Sequence, residues 1–137
     1  MRRHLLVLAA MAAMLAGCGR YDVRSFEETQ AQFVEQRSQL EALVVKIQRC
    51  GAFHTKIVRP CGGEISRDEI LADLKRLGLK SASSSDGTSV QLVNGGDGTE
   101  LGVMSGMVHY TTPQPNGGDF ETPLTPPPHY WFYTQHD

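Results

Sequence analysis

Not one lysine or arginine follows Lys80, although residues 81–137 carry Asp86, Asp97, Glu100, Asp119, Glu121 and Asp137. A second half without cations offers no face there to neutralise phosphates, which argues against nucleic-acid binding. Every basic side chain lies earlier in the chain. Two arrangements follow: basic helices packed beside an acidic sheet, or an acidic face that meets a basic partner and steers the encounter electrostatically. Long apolar runs are equally scarce. Beyond residues 5–15 nothing approaches the roughly 20 apolar residues of a permanent membrane span. No repeat of 20–50 residues is present, which excludes a solenoid or propeller. Cysteine is limited to Cys18, Cys50 and Cys61.

Catalytic signatures are missing as well. Ser105 sits in Gly102-Val103-Met104-Ser105-Gly106-Met107, which misses the G-x-S-x-G spacing of a nucleophile elbow. Gly95-Gly96-Asp97-Gly98 lacks the lysine of a phosphate-cradling loop, and Asn94, Asp97 and Glu100 fall short of the oxygen density of a calcium site. Asp68-Glu69 reads as a favourable pair at a helix N-terminus rather than as glycosidase carboxylates. Three strand-region histidines, His109, His129 and His136, would form a metal site only if neighbouring strands brought two of them together. No cofactor is expected.

What is present is concentrated at the start. Arg2, Arg3 and His4 form a positive n-region, and residues 5–15 contain only Leu, Val, Ala and Met, the length of a signal h-region. Leu15-Ala16-Gly17-Cys18 follows directly, and this segment resembles the lipobox of bacterial lipoproteins. The resemblance implies cleavage before Cys18, diacylglycerol on its sulfur and acylation of its new amine. More than one buried acyl chain gives stable anchoring. Gly19 in the next position leans toward the outer membrane, because lipoproteins of this kind retained in the inner membrane often carry Asp there. The expected organisation is a signal peptide over 1–17, a short tether over 18–24 and a single α+β domain over 25–137. The expected location is a lipid-anchored position on the periplasmic face of the cell envelope.

With Cys18 given to lipid, Cys50 and Cys61 are left to pair, as two cysteines in an oxidising compartment most often do. Metal binding by this pair lacks a companion Cys/His motif. A catalytic thiol would need His54, which lies between them, as its base. Phe26, Phe33, Leu40 and Ile47 recur every seven residues and predict a long amphipathic helix over 25–49, widened by Ala42, Leu43 and Val44, with polar companions at Thr29 and Gln36. Phe53, Thr55, Ile57 and Val58 suggest one short strand. Ser66 and Glu69 form a capping box, flanked by the staple residues Ile65 and Ile70, and Gly78 closes a second helix over 66–77. Residues 80–87 read as a flexible Ser-rich joint. Strands are expected over 89–93, 100–112 and 129–134, with a hairpin turn at 94–98 and no central strand or helix in the proline-rich stretch 113–128.

The resulting fold class is α+β: two N-terminal helices packed on one face of a small antiparallel sheet of three or four strands. That order resembles, in architecture only, small outer-membrane assembly lipoproteins of the BamE type. The aromatic strand Tyr130-Trp131-Phe132-Tyr133 has rings on both faces, so it offers either core or an interaction surface. Together these features describe a non-enzymatic, lipid-anchored protein that works by binding a protein partner, as an envelope-complex subunit, an inhibitor or an immunity-type protein. The alternative is an envelope enzyme or metal-binding factor that uses the strand histidines.

Overall fold

The computed structural model describes residues 23–96, 104–112 and 121–135. In chain order the elements are α1 (Phe26–Cys50), β1 (Phe53–His54), α2 (Arg67–Arg76), β2 (Ser81–Ser84), β3 (Ser89–Gly96), β4 (Met104–Tyr110), β5 (Glu121–Pro123) and β6 (Tyr130–Gln135). The strands form one six-stranded sheet in the order β1-β2-β3-β4-β6-β5, with every neighbouring pair antiparallel. This corrects the expected fold in two respects. The sheet has six strands rather than three or four, and β1 lies between the helices, so the helices do not form an N-terminal pair ahead of the sheet. The likeness to the BamE-type order lapses with it.

Two of the added strands come from segments whose composition disfavours strands. Residues 81–84 pair on both sides, with β1 and with β3, and the Ser84 hydroxyl closes the following turn by donating to the Ser89 carbonyl and accepting from the Gly87 amide. The serine run is therefore a strand with its turn, not a flexible joint. β5 ends on Pro123 and pairs only with β6, so its missing amide hydrogen faces a free edge, where proline is tolerated. The expected hairpin turn at 94–98 shifts too. Asn94, Gly95 and Gly96 belong to β3, which carries an irregularity between Val93 and Gly95. Residues 97–103, 113–120 and 136–137, and the whole leader, lie outside the described residues.

The helices behave largely as their patterns require. Ser25 caps α1 by accepting from the Glu28 amide, and Phe33, Leu40, Leu43, Val44 and Ile47 are buried against the sheet. Ala42 is exposed instead of widening this stripe, and Thr29 goes fully into the core. Ser66 caps α2 by accepting from the Asp68 amide. Glu69 does not close the capping box. It pairs with Lys46 of α1 at 2.8 Å, and Lys46 also reaches Asp73 at 2.8 Å, tying the two helices together. The C-terminus of α2 is a full Schellman motif: Gly78 sits at φ +71°, its amide donates to Lys75, and Leu79 donates to Leu74. Ser66→Ala should cost about 1 kcal/mol through the lost cap. A urea midpoint unchanged in that variant would place the start of α2 elsewhere.

Phe53, Ala82, Val90, Leu92, Met107, Tyr130 and Phe132 point toward the helices and complete one core with Phe33, Leu40, Leu43, Ile47, Ile70 and Leu74. Period-two alternation puts His54, Ser83, Gln91, Val93, Gly106, Trp131 and Tyr133 on the opposite face. At the centre of the sheet Gly106 faces Tyr133 across the β4–β6 pair. A Cβ at Gly106 would run into the Leu92 carbonyl oxygen and stand 2.9 Å from the Tyr133 hydroxyl. Where the helix side meets the end of β3, a polar cluster replaces apolar packing. Buried Asn94 donates to Thr29 at 2.9 Å and to Gln32 at 3.0 Å, and accepts from buried Ser105 at 2.9 Å. Ser105 in turn accepts from the Arg24 amide at 2.8 Å. A buried polar cluster this completely partnered fixes register without leaving orphaned groups.

Candidate functional site

The face of β1, β2 and β3 that turns away from the helices carries a concavity. A cavity of about 440 Å³ lies between the segment 52–59 and the strands, and a second of about 210 Å³ adjoins it. The two share His54, Ser83 and Gln91, so they form one trough running along β2 and β3 from Ser89 to Val93, with Met104 of β4 at its end. One wall is the segment Thr55-Lys56-Ile57-Val58-Arg59, and its position is fixed at several points. Cys50 and Cys61 are bonded to each other at its base. Arg67 donates to the His54 carbonyl at 2.9 Å and to the Thr55 carbonyl at 2.6 Å, and its guanidinium lies 5.2 Å from the Phe53 ring centre. The Thr55 hydroxyl donates to the Ala82 carbonyl and accepts from the Ala82 amide, extending the β1–β2 pairing by side chain. A rim held in this way pays little ordering entropy when something binds.

Among the described residues the trough's lining includes His54, Lys56 and Arg59, several serine hydroxyls and the Gln91 amide, and no carboxylate. The Lys56 amide donates to His54 Nδ1 at 3.0 Å, which leaves Nε2 of the neutral ring to carry the proton as a donor. Ile57 contributes an apolar patch to the wall, half exposed, and Val58 beside it is 90% exposed, the most exposed large aliphatic side chain described. Sequence reasoning missed this site. It read Ile57 and Val58 as strand residues and the serines as a joint. The usable signal was a pair of aliphatic residues flanked by Lys56 and Arg59 inside a disulfide-bounded loop.

The residues singled out from sequence are distributed differently. Cys50 and Cys61 form the expected disulfide, so neither is a thiol that His54 could activate. Tyr130, Trp131, Phe132 and Tyr133 alternate between the two faces, but all four are buried, which corrects their assignment as an interaction surface. Tyr130 packs on Phe33 and Phe132 on Phe26. Burial pushes the Tyr130 and Tyr133 phenols well above their ordinary range. Ser105 is spent in the Asn94 cluster, and Asn94 with it; Asp97 and Glu100 lie outside the described residues.

His109 and His129 do come together. Their rings stack at 5.5 Å between centres, and His109 lies edge-on to Tyr130 at 4.8 Å. His129 Nδ1 is 2.8 Å from the Tyr110 carbonyl oxygen and donates to it. The Nδ1 of His109 is buried with no hydrogen-bond partner among the described residues. His136 lies outside them. Among the described residues no group of three or more His, Cys, Asp and Glu side chains could hold a metal ion, so the pair has no third ligand there. Burial lowers the His109 pKa, proximity to His129 lowers it further, and Glu41 acts in the opposite direction. A histidine whose folded pKa lies below its unfolded value of about 6.5 binds fewer protons when folded. Its contribution to stability is complete above pH ~6.5 and is lost as pH falls through that value toward the folded pKa. The urea midpoint should therefore drop between pH 8 and pH 5 in the wild type and drop less in His109→Phe. Identical pH slopes would remove His109 from this account.

No helix among the described residues is long and apolar enough to cross a membrane. No family model matches the chain, and no curated protein or solved structure matches it.

Proposed function

We propose that this chain is a lipid-anchored protein of the cell envelope that acts by binding a protein partner through the trough and the adjoining loop. The observation that carries the reading is the division of labour among three cysteines. Cys50 and Cys61 are bonded to each other, which leaves Cys18, in Leu15-Ala16-Gly17-Cys18, as the odd residue available for acylation. The disulfide also suits an oxidising compartment. A binding role is supported by a concavity walled by a rigidly held loop that displays Ile57 and Val58, with no assembled nucleophile, base or metal trio among the described residues.

The test is the intact mass of the full chain purified from bacterial membranes. The expected product begins at Cys18 and carries acyl chains, and Cys18→Ser should move the protein out of the membrane fraction. A polypeptide that begins at Met1 or at an unmodified residue 18 would overturn the anchor.

A further inference from the structure

The geometry points to an extended acidic peptide segment as the ligand of the trough between the 54–59 wall and strands β2 and β3; this rests on the protein-binding reading above. The first reason is charge. The chain as a whole has 15 acidic against 13 basic side chains, yet among the described residues the trough is lined by Arg59 and His54 and by no carboxylate. Arg59 has no ion-pair partner among the described residues. A guanidinium that lines a concavity together with Ser89 and Gln91 is a fork suited to a carboxylate. The second reason is shape. Two adjoining cavities of about 440 and 210 Å³ make a site much larger than a single inorganic anion, and elongated along the strands. An extended chain with side chains alternating into the trough fills such a space. The third reason is the apolar element: Ile57 lines the wall and Val58 projects beside it, so a segment that mixes acidic and aliphatic residues meets both kinds of surface.

The probe is a hexaglutamate peptide titrated into the full chain in detergent micelles and followed by the amide resonances of residues 54–59 and 89–93. Saturable shifts confined to those residues are expected at micromolar to millimolar peptide. Arg59→Glu should weaken binding at least tenfold while the melting temperature stays put; if that variant fails to fold, Arg59→Gln supplies the same comparison. Hexalysine should not bind. No shift with hexaglutamate, or equal binding by Arg59→Glu, overturns the inference. Tighter binding of an oligogalacturonate would make the trough a glycan site instead, and displacement by equimolar inorganic phosphate would reduce it to a point-anion site; either overturns the peptide assignment. The measurement is repeated on Cys18→Ser, so that a failed anchor and an empty trough give different results.

Discussion

Gly106→Ala should abolish the native fold, or leave it destabilised by at least about 3 kcal/mol, the upper range for overpacking a core. The obstacle is backbone, not a yielding side chain. The added methyl would collide with the Leu92 carbonyl oxygen, whose strand is held by β2 on one side and β4 on the other. Tyr133, which faces Gly106 across the next strand pair, adds a second close approach through its hydroxyl. Tyr133→Phe removes that second contact while keeping the ring, and it loses only the hydroxyl's long 3.5 Å hydrogen bond to the Leu92 carbonyl, so alone it should cost no more than about 1 kcal/mol. It should fail to rescue Gly106→Ala, because the collision with Leu92 remains. Equilibrium unfolding of the two single variants and the double variant measures this directly. Rescue by Tyr133→Phe, or a Gly106→Ala protein of normal stability, would show that β3 and β4 are not packed at the spacing described.

Loss of the Cys50–Cys61 bond should have the next largest effect. It closes a sequence separation of 11 residues, and the loop-entropy estimate for that length is about 3 kcal/mol. For a domain of this size that is a melting-temperature drop of roughly 10 °C. Cys50 is itself buried in the core, so Cys50→Ala with Cys61→Ala also removes some packing and sets the larger of two values, while reductant on the wild type gives the smaller. The bridge does a second job as well. It holds one end of the trough wall, so residues 55–59 should lose hydrogen-exchange protection on reduction even at temperatures where the sheet stays intact. A melting curve indifferent to reductant would mean that the bond contributes nothing to holding the fold.

The elements governed by local chemistry were legible in the sequence. Heptad-spaced Phe33, Leu40 and Ile47 do form the buried stripe of a helix, and Ser66 with Gly78 does bracket another. The sheet was less legible, for physical reasons that differ by strand. β2 is made of serine and alanine, which have little strand propensity, and exists because β1 and β3 flank it and because Thr55 and Ser84 supply hydrogen bonds from their side chains. β5 carries a proline and survives only at an edge. Asn94-Gly95-Gly96 has the composition of a turn, but the tertiary partners Thr29, Gln32 and Ser105 draw the amide of Asn94 into the interior and keep the strand going. The candidate site was nearly invisible, because a trough is assembled from residues far apart in sequence. His54 and Gln91 line it together only because β1 and β3 flank β2.

The hydrogen bond from the Arg24 amide to Ser105 has a further consequence. It fixes the point at which the chain enters the folded body only six residues after Cys18. A leash of that length spans at most about 20 Å when fully extended, little more than half the roughly 37 Å length that a 25-residue helix such as α1 occupies. If Cys18 carries lipid, the body patrols only a thin layer above the bilayer. Anything it captures would have to be embedded in the same membrane or delivered to that layer, and a partner diffusing freely in the wider compartment would be met only by chance.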